Sequence, residues 1–189
     1  MCGIVGVVSN NNINEKLFNG LANLEYRGYD SVGMCFINNG KFKIKKGVGK
    51  LEEVHKKVNF LKLNGNIGIG HCRWSTHGGV TEKNAHPHVD CKQKISIVHN
   101  GIIENYSELK DELAKKGHKF YSQTDTEVIA HLIEENLEDG IKDAVRNALK
   151  RVEGSYALGI LHAEEPDKLI AARNESPLIV GIGKNENFI

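Results

Sequence analysis

Met1-Cys2-Gly3-Ile4-Val5-Gly6 opens the chain and governs its reading. A cysteine stands directly behind the start methionine, and a strand-like apolar run, Ile4 to Val8, follows at once. The small Cys2 side chain is compatible with removal of Met1. Removal would leave an α-amine and a thiol on one residue. An α-amine titrates at about 7.7–8.0, close to where a general base serves best at neutral pH. A thiol attacks as its thiolate and needs such a base or a depressed pKa. Cys2 therefore reads as an N-terminal nucleophile. The alternative is a small buried residue that merely opens a strand.

Working outward, the 189 residues suffice for one domain with a real core. Lys and Arg number 25 against 24 Asp and Glu, a net charge of +1. That balance offers neither a basic footprint for nucleic acid nor a polybasic membrane patch. Cys2, Cys35, Cys72 and Cys91 form no Cys-x-x-Cys pair and read as reduced thiols of a cytoplasmic protein. No apolar run approaches the length of a membrane span.

The periodicity predicts a strand over residues 3–9 and a helix through Ile13, Leu17, Leu21 and Leu24, capped by Asn12. Val32–Ile37, the turn Asn38-Asn39-Gly40 and Lys41–Lys45 read as a hairpin. A short helix over 50–61, a strand Ile67–Cys72, a long polar loop to His88 and a strand Ile95–Val98 follow. Three helices come next: about 106–116, one opened by a Thr124/Glu127 capping box, and one striped from Ile141 to Val152. Strands near 155–162, 168–173 and 178–182 close the pattern. Strands early and late with helices between them predict an α+β fold, helices covering sheets.

Several groups could carry chemistry. Asn100-Gly101 is either a turn or an oxyanion hole, since a glycine N–H approaches closely and an asparagine amide supplies a second donor. In Arg73-Trp74-Ser75-Thr76-His77-Gly78-Gly79, Arg73 can fork onto a carboxylate, Thr76 and His77 add donors, Trp74 offers apolar cover, and the glycines suit a mobile lid. The alternative is an ordinary surface loop. Asp125 either complements a helix dipole or holds a substrate ammonium. The nine histidines raise a zinc alternative, His86-x-His88-x-x-Cys91 with His71 or His99, but that spacing matches no common zinc pattern and no metal is expected.

Taken in order, LEYRGYDS (24–31), RWSTHG (73–78), NAHPH (84–88), HNGIIEN (99–105) and TDTEVIAH (124–131) resemble the class II glutamine amidotransferases. Ser75, Cys72 and Gly79-Val80-Thr81 depart from the commoner pattern, all in or beside the lid. The resemblance implies an N-terminal-nucleophile hydrolase fold, a four-layer αββα sandwich, and hydrolysis of L-glutamine to glutamate and ammonia without a cofactor. It implies Cys2 as nucleophile with its α-amine as base, Arg27 placing that residue, and Asn100 and Gly101 as oxyanion hole. It implies Arg73, Thr76 and His77 at the glutamine α-carboxylate, Asp125 at its α-ammonium, and Trp74 in the closing loop. The strings are nearest to members whose downstream sugar-phosphate isomerase domains pass the ammonia to fructose 6-phosphate in a homo-oligomer. Amidophosphoribosyltransferases share the start and the Asn-Gly but not RGYDS or RWSTHG. On this reading residues 1–189 are one glutaminase domain, shortened at its C-terminal end.

Overall fold

The computed structural model describes residues 2–189. Met1, whose removal the sequence leaves open, lies outside them. The chain runs β1 (Gly3–Ser9), α1 (Asn14–Leu24), a 3-10 turn Glu25–Arg27, β2 (Ser31–Asn38), β3 (Lys41–Val48) and α2 (Leu51–Val58). It continues through β4 (Ile67–Arg73), β5 (His88–Val89), β6 (Ile95–Ile103), α3 (Tyr106–Lys115), α4 (Glu127–Glu135) and α5 (Ile141–Leu149). β7 (Gly154–His162), β8 (Leu169–Asn174), β9 (Gly181–Ile182) and β10 (Glu186–Phe188) complete it.

Two sheets form, ordered β3-β2-β4-β1-β10-β9 and β5-β6-β7-β8. Their inner strands are apolar on both faces, and the alternation along each strand sorts the side chains. Val5 and Val7 of β1, with Val32, Met34 and Phe36 of β2, meet Leu17 and Leu21 of α1 and Val54 of α2. The opposite faces, with Ile4, Cys35, Ile67 and Ile69, meet Val98, Ala157 and Leu161 of the second sheet. Ile97, Leu158 and Ile160 on that sheet's outer face pack on α3, α4 and α5. The result is the αββα sandwich. Gly70 decides how closely α1 sits, because a Cβ there would lie 2.8 Å from Leu21 Cδ1.

Four local expectations need correction. Asn12 does not cap α1: its Oδ1 accepts the Gly65 N–H, and the helix starts at Asn14. No Thr124/Glu127 capping box forms. The Glu127 carboxylate accepts the Tyr121 and Ser122 N–H groups at 2.9 and 2.7 Å, so α4 starts only at Glu127. Residues 84–88 are buried rather than a solvated polar loop. Only Gly181–Ile182 of the last expected strand pairs, and the place beside β1 goes to β10, with Val7 opposite Phe188.

Candidate active site

β1 enters the sandwich from Cys2, and β4 leaves it at Arg73 on the neighbouring strand, so Gly3 stands opposite Cys72. This register brings the first residue and the 73–79 segment together. The contact is tight. A Cβ on Gly28, just after the 3-10 turn, would lie 2.7 Å from the Arg73 carbonyl carbon, so glycine is required there. The Cys2 thiol rests on the Trp74 backbone: the Trp74 N–H donates to Sγ at 3.1 Å, and Sγ lies 3.3 Å from Trp74 O. Burial pushes the thiol pKa above its ordinary value, and the Trp74 N–H pulls it back only in part. A thiol so placed stays protonated at neutral pH and needs a base.

Cys2 is fixed through its carbonyl, which accepts Arg27 Nε and Asn100 Nδ2, each at 3.2 Å. Asn100-Gly101 is not a turn. It lies within β6, paired with Ala157 and Tyr156 of β7. His71 Nε2 lies 2.9 Å from His99 O and 3.0 Å from Asn100 Oδ1. Both partners accept, so Nε2 carries the proton, and the Asn100 amide is turned with its NH2 toward Cys2. One of its two N–H groups remains for a substrate oxygen. Gly101 has φ of +135°, and a Cβ would come 2.0 Å from Ser155 O.

The back of the site is a stack of buried histidines. His71 and His86 rings lie 4.2 Å apart, and His86 and His88 lie 4.6 Å apart. Thr126 Oγ1 reaches His86 Nε2 at 3.0 Å and His99 Nδ1 at 2.9 Å, and Thr124 Oγ1 reaches His88 Nε2 at 3.1 Å. Burial pushes His71 down to about 3 and holds His86, His88 and His99 below the usual range, so the stack is neutral. Between the threonines, Asp125 is buried, and its Oδ2 accepts the Ile103 N–H at 2.8 Å.

The front is the 74–79 segment. Arg73 donates to the carbonyls of His77, Gly78 (3.3 Å) and Gly79 (3.2 Å), and Asp30 Oδ2 accepts the Ser75 N–H at 2.8 Å. Trp74 is 45% exposed and meets Tyr29 edge-on at 5.6 Å. His77 meets Tyr106 at 5.4 Å.

One cavity of about 470 Å³ is lined by Cys2, Arg27, Arg73, Trp74, Thr76, His77, Asn100, Gly101 and Asp125 together. Every residue that the glutaminase resemblance implies therefore lines one space. A larger hollow of about 690 Å³ opens beside Lys46, His88 and Cys91, and Cys2 does not line it. The sequence reading missed His71, Asp30, Thr124 and Thr126, whose partners lie far along the chain. The zinc alternative on His86, His88 and Cys91 is not assembled: threonine hydroxyls engage Nε2 of both imidazoles, and Cys91 Sγ faces His118 and His131 instead.

A family model described as "Glutamine amidotransferase domain" matches residues 71–189. The whole chain is 58% identical to the glutamine–fructose-6-phosphate aminotransferase [isomerizing] of Pyrococcus horikoshii, covering 32% of it. It is 54% identical to the protein of that name from Methanococcus maripaludis, covering 33% of it. The chain thus spans about a third of the length of these curated relatives. Among solved structures, a glutamine phosphoribosylpyrophosphate amidotransferase from B. subtilis matches all of this chain with 41% of its own. Its TM-score is 0.87 at 26% identity. A class-II glutamine aminotransferase domain protein from Silicibacter pomeroyi shares the fold, with a TM-score of 0.67 at 14% identity over all of this chain and 87% of that one.

Proposed function

The chain belongs to the glutamine amidotransferase family, and on that premise we propose that Cys2 is the nucleophile that releases ammonia from L-glutamine. The observation that carries this reading is the single cavity shared by the Cys2 thiol, the Asn100 amide, the Arg73 guanidinium and the Asp125 carboxylate. In the proposed mechanism Met1 is absent, and the Cys2 α-amine takes the thiol proton, directly or through water. The thiolate attacks the γ-amide carbon, and the C=O electrons move to oxygen. Asn100 Nδ2 and the Gly101 N–H meet that oxyanion. Collapse expels ammonia, which takes the proton held on the α-amine, and leaves a γ-glutamyl thioester. Water then hydrolyses the thioester, with the α-amine again as base.

Substrate orientation uses the two ends of the cavity. Asp125 Oδ2 is engaged by the Ile103 N–H, which leaves its other oxygen for the α-ammonium. Arg73 has five N–H donors, and those not engaged by the 77–79 carbonyls, with Thr76 and His77, serve the α-carboxylate. Arg27 acts on Cys2 rather than on the substrate, through the Cys2 carbonyl. No metal or organic cofactor enters these steps.

The names of the relatives extend the proposal. In the longer protein the ammonia would pass to fructose 6-phosphate held by further domains, giving an amino sugar phosphate. By itself residues 2–189 would release ammonia to water. Among the described residues no helix is long and apolar enough to cross a membrane. The test is mass spectrometry of the N-terminal peptide after exposure to an electrophilic glutamine analogue. One adduct on Cys2, with Met1 gone and glutamine protecting, is expected. Cys2→Ala is expected to lose hydrolysis entirely while keeping the far-ultraviolet spectrum of the parent. Residual turnover in that variant would remove Cys2 from the mechanism.

A further inference from the structure

Away from the glutamine cavity, three parts of the chain converge on one point. The turn between β5 and β6 brings Cys91, the connection from α3 to α4 brings His118, and α4 brings His131 and Glu134 one turn apart. Cys91 Sγ lies 3.6 Å from His131 Nδ1 and 3.8 Å from His118 Nδ1. The two Nδ1 atoms are 3.2 Å apart. Glu134 Oε2 is 3.2 Å from His118 Nδ1 and 3.5 Å from His131 Nδ1. One donor atom from each of the four residues lies within 4.8 Å of the other three.

These five separations are five of the six edges of a small tetrahedron, the sixth, Cys91 Sγ to Glu134, being at most 4.8 Å. Zinc takes nitrogen or oxygen at about 2.0–2.2 Å and thiolate at about 2.3 Å. Tetrahedral angles then require edges of roughly 3.4 Å between nitrogen or oxygen ligands and roughly 3.6 Å to sulfur. The observed 3.2, 3.2 and 3.5 Å, and 3.6 and 3.8 Å, follow that division. Hydrogen bonding alone does not account for the cluster. His118 Nδ1 faces an imidazole nitrogen, a carboxylate oxygen and a sulfur at once, and it has either one proton or one lone pair to offer.

The outward nitrogens decide which. His118 Nε2 lies 2.9 Å from Glu135 Oε1, so its proton belongs on Nε2 and Nδ1 presents a lone pair inward. His131 Nε2 is buried without a hydrogen-bond partner, and the Glu127 carboxylate is 3.8 Å away. The inward lone pair of His118 Nδ1, 3.2 Å from the Glu134 carboxylate oxygen, is repelled by it unless a cation lies between them. The Glu135 carboxylate behind His118 is also the usual support of a metal-bound histidine. The Lys119 N–H donates to Cys91 Sγ at 3.3 Å.

We propose that Cys91, His118, His131 and Glu134 bind one zinc ion in a closed tetrahedral site. Four protein ligands leave no open position, so the ion is structural. The mixed thiolate, imidazole and carboxylate set suits zinc better than magnesium or calcium, which prefer oxygen alone. The ion ties the β5–β6 turn to α4, whose N-terminal approach carries Thr124, Asp125 and Thr126. The buried His131 sits under the site, whereas Cys91 is exposed, so a chelator has access from the surface.

The test is metal analysis of the untagged full chain, purified without chelator. About one zinc per chain is expected, either as purified or after equilibration with a zinc buffer, and chelation should lower the unfolding temperature by several degrees. Cys91→Ser, at an exposed position, should lose the zinc and the chelator response. Cobalt loading should give a thiolate charge-transfer band in the parent and none in Cys91→Ser. Glu135→Gln, behind His118, should weaken zinc binding about 10–100-fold. His118→Ala should likewise lose the zinc; should it fail to fold, Cys91→Ser and the cobalt band decide alone. Absence of zinc uptake from the buffer would overturn the proposal. So would zinc retained at parent affinity, or an unchanged cobalt band, in Cys91→Ser.

Discussion

The rear and front walls of the proposed glutamine cavity are built by different means. The rear wall is Asn100 and Gly101 within β6, the neutral histidine stack, and Asp125 between two threonines. Its residues sit on paired strands or are held by side-chain partners, and most are buried. The front wall is residues 74–79, outside any strand or helix, and its ties run to its backbone from Arg73, Asp30 and Asn84. The rear is fixed before substrate arrives, and the front is free to adjust around it. Chemistry that needs preorganised donors belongs at the rear. Admission and retention of substrate belong at the front.

The sharpest test of that division is Asn100→Ala. Loss of one oxyanion donor costs about 10²–10³ in kcat, and steady-state kinetics should show KM nearly unchanged. A loss below tenfold would mean that the rear wall does not meet the oxyanion. Next comes a matched pair of glycines. Gly101 has φ of +135°, and an added Cβ would lie 2.0 Å from Ser155 O, whereas a Cβ on Gly79 meets nothing within 4 Å. Gly101→Ala should cost about 3 kcal/mol of stability from backbone strain and overpacking. Gly79→Ala should stay within about 0.5 kcal/mol of the parent. Equal denaturant midpoints for the two variants would break the contrast.

Much of this was legible in the sequence because contiguous runs encode it. β1, β2 and β4 are each one apolar stretch bounded by turn residues. What escaped depends on partners distant in sequence. His71 orients Asn100 from 29 residues away, and Asp30 anchors Ser75 from 45. Either could equally be an unremarkable strand or turn residue in isolation. Cys91 attracted the nearby His86 and His88 as zinc partners, but Thr126 and Thr124 claim those rings. Its spatial neighbours, His118 and His131, are 27 and 40 residues on. Helix boundaries failed for a related reason: Glu127 satisfies the 121–122 backbone instead of its own helix start.

The histidine stack makes the rear wall sensitive to acid. In the unfolded chain a histidine takes up a proton near pH 6.5, whereas folded His71 does so only near 3. Between those values the unfolded state binds more protons, so stability is full above about pH 6.5 and falls as the pH drops. His71 alone contributes about 1.4 kcal/mol per pH unit across that window, and His86, His88 and His99 act in the same direction. Urea unfolding at pH 7.5, 6 and 5 should show the decline. Unchanged stability down to pH 5 would mean that the stack accepts protons without unfolding.

The smallest expected effect on catalysis probes the front wall. Asp30 accepts the Ser75 N–H at 2.8 Å and fixes the start of the 74–79 segment, while the far end is held by Asn84 Nδ2 on Gly79 O at 2.9 Å. Asp30→Ala removes one anchor and leaves β6 and the histidines untouched. A hydrogen bond of this kind is worth about 1 kcal/mol. Lost from the ordered, substrate-retaining form of the segment, that corresponds to a roughly fivefold rise in KM for glutamine. kcat should hold, because an interaction made equally in the bound and transition states affects binding alone. If kcat instead fell as far as in Asn100→Ala, the front segment would also position reacting atoms, and the two walls would act as one unit.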